Sequence, residues 1–166
     1  MRKYLYTWCY IGVLLLCVSC SKKTFDVKLT SEISPNAPYT ITVTTNLPDE
    51  TMLSLEGMES DENLASPLML TDDEQTVKQG KAIFQLKTLN EDAIRPGTYD
   101  VTISSGVMAL QPKSLHALFG AHGEQLRGNV VREFQMQGKT EKDIMATYIL
   151  TIKKSGSPYF QQIQVQ

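Results

Sequence analysis

"IMATYILTI", Ile144 to Ile152, puts Ile144, Ala146, Tyr148, Leu150 and Ile152 at every second position. Side chains alternate between faces with a period of two only in an extended strand, and branched and aromatic residues suit a half-buried one. The same beat recurs upstream. "TYDVTIS" sets Tyr99, Val101 and Ile103 inward with Asp100, Thr102 and Ser104 outward, and "KAIFQL" does the same with Ala82, Phe84 and Leu86. Further runs are Phe25-Val27-Leu29, Tyr39-Ile41-Val43, Leu53-Leu55 within Met52–Met58, and Val130, Phe134 and Met136 on one face with Arg132 breaking the row. Seven strand-like runs result.

The punctuation agrees. Asn46-Leu47-Pro48-Asp49, Gln79-Gly80, Arg95-Pro96-Gly97 and Gln137-Gly138 are turn signals, because proline presets φ and glycine tolerates positive φ. Strands every 10 to 20 residues with little helix between them predict an all-β chain, an antiparallel β-sandwich. "LQPKSLHALFGAHGEQLRG" interrupts the rhythm. Pro112 suits a first helical turn, Leu115, Leu118 and Phe119 form an i, i+3, i+4 stripe, and Gly120 stands where a helix ends. One short inserted helix is expected, its apolar stripe plugging an open end of the sandwich, followed by a mobile glycine-flanked loop. The acidic stretch Met58–Gln75 reads as a long loop or a ragged edge strand around Leu68–Leu70. The tail, residues 154–166, reads as an added edge strand or a frayed end.

The chain opens differently. Arg2 and Lys3 precede Tyr4–Ser21, 18 residues without a charge, whose apolar centre is Ile11–Val18. A basic start, an apolar run and small residues at its close describe a secretory signal peptide. An uncleaved membrane helix is the competing reading, at the lower limit of length for spanning a bilayer. In "LLLCVSCSKK", Val18-Ser19-Cys20 resembles the lipobox of bacterial lipoproteins. The third residue before Cys20 is Cys17, however, and the leucine of that pattern stands one step earlier at Leu16. The resemblance covers about the first 20 residues. It implies cleavage after residue 19, two or three acyl chains such as palmitate on Cys20, and a membrane as the first partner. Ser21 after the cysteine resembles the outer-membrane sorting signal of diderm bacteria. The expected organisation is therefore signal peptide 1–19, lipidated tether 20–24, β-sandwich 25–153 and polar tail 154–166.

Composition narrows the function. All three cysteines (Cys9, Cys17, Cys20) lie in or at the end of the leader, so the domain folds without disulfides. Loss of residues 1–19 removes Arg2 and Lys3 and leaves 14 basic against 18 acidic side chains, a formal charge of −4. That balance offers no polyanion-binding surface, and nucleic acid is not an expected partner. "RPGTYDVTI", Arg95 to Ile103, resembles the proline-glycine entry into a late strand of immunoglobulin-like and fibronectin-like domains. The cysteine and tryptophan pattern of antibody domains is absent.

No catalytic, cofactor or metal residues stand out. His116 and His122 are six apart, no G-x-S-x-G elbow occurs, and there is no glycine-rich phosphate loop. Glu59, Asp61, Glu62, Asp72, Asp73 and Glu74 can supply oxygen ligands for calcium, but their spacing is not that of an EF-hand, and solvated loop charge is the simpler reading. The expectation is a membrane-anchored envelope lipoprotein, lipidated at Cys20, that binds or scaffolds an envelope protein or surface ligand without catalysis. The alternatives are a lipoprotein inhibitor that inserts the His116–Arg127 loop into a foreign enzyme, and a metal-dependent hydrolase gathering Asp72, Asp73 and His122.

Overall fold

A computed structural model describes residues 23–61, 65–90 and 93–163. Cys20 and the rest of the leader lie outside the described residues. Among them the chain is mostly β, as expected, with one α-helix. The strands are β1 (Phe25–Asp26), β2 (Leu29–Ile33), β3 (Thr40–Thr45), β4 (Met52–Glu59), β5 (Met69–Thr76), β6 (Lys81–Gln85), β7 (Lys87–Thr88) and β8 (Gly97–Ser104). A 3-10 turn (Met108–Leu110) and helix α1 (Lys113–Phe119) follow, then β9 (Leu126–Arg127), β10 (Val131–Met136), β11 (Lys139–Ile152) and β12 (Pro158–Ile163).

Two antiparallel sheets carry the body. The smaller has the order β2-β3-β6. The larger runs β10-β11-β8-β4-β5-β7, with β12 also on β11. A third, two-residue pairing, β1 with β9, is parallel. The long β11 serves three neighbours: Lys139–Ile144 pairs with β10, Met145–Ile152 with β8, and Thr147–Ile152 also with β12. The alternation read from sequence is the alternation of burial. Ile144, Ala146, Tyr148, Leu150 and Ile152 are buried, as are Tyr99, Val101, Ile103, Ala82, Phe84 and Leu86. Inward residues of both sheets, Ile41, Val43 and Phe84 from one and Leu53, Tyr99 and Tyr148 from the other, join a single apolar core.

Both Gln-Gly pairs make tight hairpins. Gln79 (φ 52°) with Gly80 (φ 72°), and Gln137 (φ 52°) with Gly138 (φ 76°), have the paired positive φ that matches the twist of adjoining strands. Lys78 and Lys81 exchange both backbone hydrogen bonds across the first, and Met136 faces Lys139 across the second.

Two local expectations change, and two open alternatives are decided. The first run divides into β1 and β2. Of the acidic stretch, Met58 and Glu59 end β4 and Met69–Gln75 lies in β5, which pairs with β4 from Met52–Thr76 to Met58–Met69, with a bulge between Leu53 and Leu55. The tail is the added strand, since Pro158–Ile163 pairs with Ile152–Thr147. Of the Val130, Phe134 and Met136 row only Val130 is buried in the core: β10 is an edge strand, Met136 is exposed, and the Arg132 guanidinium lies 5.1 Å above the Phe134 ring.

Helix α1 follows Pro112 and ends at Gly120, whose N–H donates to His116 O. Leu115 and Phe119 are buried, while Leu118 is 37% exposed, so the inward stripe is the i, i+4 pair alone. Phe119 meets Phe25 edge-on at 5.2 Å, which seats the helix against β1. The segment after the helix is tied down. His122 O accepts from Lys142 N, Gln125 N donates to Phe119 O, and Leu126 is buried.

Candidate functional site

The strands define two ends. At one, Asn46 Nδ2 donates to Asp26 O, Met52 N donates to Gln111 Oε1, and α1 packs beside β1. At the other, about 25 Å away along the eight-residue β4 at strand rise, lie the loops preceding Tyr39, Gly97 and Pro158. Here the chain leaves the small sheet after Gln85 and enters the large one at Lys87, with the buried Leu86 at the crossing.

A cleft of about 480 Å³ opens at this crossing. It is lined by Ala37, Pro38 and Tyr39, by the buried Leu86 and Thr88 with the exposed Lys87 between them, and by Ala93 and Ile94. Its size is that of a small-molecule or side-chain pocket. The lining is anchored by hydrogen bonds. Tyr39 donates its hydroxyl to Gly156 O at 2.7 Å, and Leu86 N donates to Tyr39 O at 2.9 Å. Arg95 follows Ile94 and forks onto the buried Glu59 carboxylate, Nε to Oε1 at 3.1 Å and Nη2 to Oε2 at 2.5 Å. Leu68 N gives the same carboxylate a further hydrogen bond at 3.1 Å. The Tyr99 hydroxyl donates to Arg95 O at 2.7 Å, closing the loop onto β8.

These contacts set the local titration. Hydrogen bonding from Arg95 holds Glu59 below the ordinary glutamate value, against the opposing effect of burial. Burial, reinforced by the nearby Glu59 charge, pushes the Tyr99 phenol up to about 12. Because the folded-state value of Glu59 is depressed, its contribution is present above the unfolded value near 4.5 and is lost as pH falls through the lower, folded value. A thermal-melt series from neutral to acid pH should therefore show a smaller acid loss in Glu59→Gln than in the wild type, with Glu59→Gln already less stable at pH 7. Equal acid slopes in the two proteins would show that the Arg95 pairing contributes nothing to the pH response.

The cleft surface is mainly aliphatic and aromatic, with the exposed Lys87 at its rim. Such a surface can seat an apolar side chain and attract an adjacent anionic group. Sequence alone pointed to Arg95-Pro96-Gly97 as a turn but not to its partner Glu59, which lies 36 residues away and becomes a neighbour only when β4 pairs with β8.

The other candidate residues disperse. His116 Nε2 donates to Met108 O at 3.1 Å. His122 Nδ1 lies 2.6 Å from Glu141 Oε1, at the end opposite the cleft. Both histidines are half-buried structural partners. Glu141 and Asp143 stand at outward positions of β11 yet are buried, because the His122 segment covers one and Arg132, the register partner of Asp143, lies over the other. Of the suggested calcium ligands, Glu59 is engaged by Arg95, while Glu62 and the side chains of Asp72 and Asp73 lie outside the described residues. Among the described residues no group of three or more His, Cys, Asp or Glu could hold a metal ion, and no helix is long and apolar enough to cross a membrane. In comparisons with known protein families, curated proteins and solved structures, nothing matches this chain.

Proposed function

We propose that the chain is an envelope lipoprotein, anchored through acyl chains on Cys20, whose β-sandwich presents the Tyr39–Ile94 cleft to an envelope protein or surface ligand and acts by contact, without catalysis. The observation that carries this reading is the position of the cleft. It lies at the end of the strands opposite β1, and β1 begins five residues after Cys20. Five residues span at most about 17 Å. A lipid on Cys20 would hold the α1 end close to the bilayer and turn the cleft outward.

The sandwich reading is supported by two sheets that share one core. An immunoglobulin-like architecture is supported by Tyr99, whose hydroxyl bonds back to the backbone four residues upstream at the entry to β8, the arrangement of a tyrosine corner. A single acyl chain binds a membrane only marginally, so stable anchoring takes the two or three chains that the lipobox resemblance implies. The anchored segment and the recognition cleft thus have separate roles.

Two measurements test the two halves. Intact mass of the detergent-extracted protein should show loss of residues 1–19 and a gain of two or three acyl chains, and Cys20→Ser should move the protein to the soluble fraction. A bare Cys20 or a retained leader would end the anchoring proposal. For the cleft, ligand-observed NMR with short acetylated peptides carrying phenylalanine and aspartate should show saturable binding, abolished by Ala93→Trp, which fills the opening from an exposed position. Binding unchanged in Ala93→Trp, or no binding of any such peptide, would remove the cleft from the proposal.

A further inference from the structure

β12 forms an open edge of the larger sheet: among the described residues it pairs only with β11, on one side. An open edge offers unpaired N–H and C=O groups to another strand, and proteins commonly guard such edges with charges, bulges or very short strands. The other edges of this molecule follow that rule. β10 carries Arg132 and Glu133, β2 carries Glu32, β6 carries Lys81, and β7 is two residues long with Lys87. β12 has a single guard, Pro158 at its first position, and none from Tyr159 to Ile163. No residue from Ser155 to Gln166 is charged, and its six-residue ladder with β11 runs without a register shift.

The strand is also held ready. Phe160 points inward and stacks on Tyr148 at 4.5 Å and 9°. Tyr159 and Ile163 point outward, 54% and 38% exposed, beside Ile149 at 36%. We propose that β12 is a homodimer interface, at which two copies of this chain pair their β12 strands antiparallel about a two-fold axis through Gln161.

The occupant follows from the edge itself. A neutral strand offers nothing to select a charged partner, and its own copy meets it without like-charge repulsion. In a continuous sheet, opposed residues must share a face, so a two-fold axis has to place a residue opposite its own counterpart. Centring on Gln161 pairs Tyr159 through Ile163, the part of β12 that follows Pro158, whose nitrogen has no hydrogen to donate. Tyr159 then faces Ile163 of the partner subunit in a favourable aromatic–branched pair, and Phe160 faces Gln162 of the partner subunit. The exposed apolar residues of the edge cover one another. This interface is independent of the cleft and of the anchor.

Sedimentation of the full chain in mild detergent, over a wide concentration range, tests the proposal. The wild type should reach a dimer. Gln161→Lys and Gln161→Glu should each weaken it about tenfold or more, because like charges then stand directly opposite. An equimolar mixture of the two variants should restore the dimer as a mixed pair. Gln161 is exposed, and unchanged melting temperatures would confirm that both variants fold. A wild type that stays monomeric, a dimer indifferent to charge at position 161, or no recovery on mixing would each overturn the proposal. Monomers that bind a strand of a different protein at this edge would do so too.

Discussion

Replacing Tyr148 by alanine should lower the free energy of unfolding by about 3–5 kcal/mol, the range for deleting a buried aromatic side chain. Tyr148 is among the largest fully buried side chains, and it makes three connections at once. Its ring belongs to the shared core, it stacks on Phe160 of β12, and its hydroxyl lies 2.8 Å from Ser31 Oγ on β2 of the other sheet. A small domain has about 5–15 kcal/mol in total, so the loss is a large fraction of its stability. Tyr148→Phe separates the contributions, because it keeps the ring and removes only the hydroxyl, at about 0.5–1.5 kcal/mol. Urea titrations read both as shifts in midpoint at unchanged slope. An alanine variant no worse than the phenylalanine variant would mean that the stack and the core contact carry no weight.

The second large effect is expected at Gly123. Its φ is +73°, and a Cβ added there would stand 2.5 Å from Lys142 O and 2.9 Å from Lys142 Cβ. The obstacle is the backbone of β11, which cannot swing away as a side chain can. The left-handed conformation costs a non-glycine residue about 1–2 kcal/mol, and overpacking adds about 1–3. Gly138 is the internal control: its φ is +76°, but nothing lies within 4 Å of an added Cβ. Gly138→Ala should therefore show the conformational cost alone, and Gly123→Ala should exceed it clearly in a melting or urea experiment. Equal losses would place the whole effect in φ and none in the close approach to β11.

How much of this was legible beforehand depends on the range of the interaction. The strand runs around Tyr99–Ile103 and Ile144–Ile152 were readable because burial on one face leaves a mark at every second residue, whatever the partner strand. The hairpins were readable because Gln-Gly concentrates the required positive φ into two adjacent positions. β5 was obscured by its consecutive acidic residues Asp72-Asp73-Glu74, which break any alternation, and only its pairing with β4 and β7 makes it a strand. Leu118 was assigned inward by spacing alone, yet a seven-residue helix seated on Phe25 buries only its i, i+4 pair. Glu59, Glu141 and Asp143 were beyond reach, because each is buried by a partner or a covering segment brought up by the tertiary fold: Arg95, the His122 segment and Arg132.

Alone, the order of residues determined the alternating strands, their turns, the helix boundaries and a cysteine-free body, all properties that depend on neighbours within a few positions. Only the tertiary structure decided where the crossing at Leu86 opens a cleft, which carboxylates are buried against which guanidinium, and that the uncharged tail becomes an edge of the larger sheet. Those features arise where segments distant in sequence are brought within hydrogen-bonding distance, and no local pattern encodes which distant segment that will be.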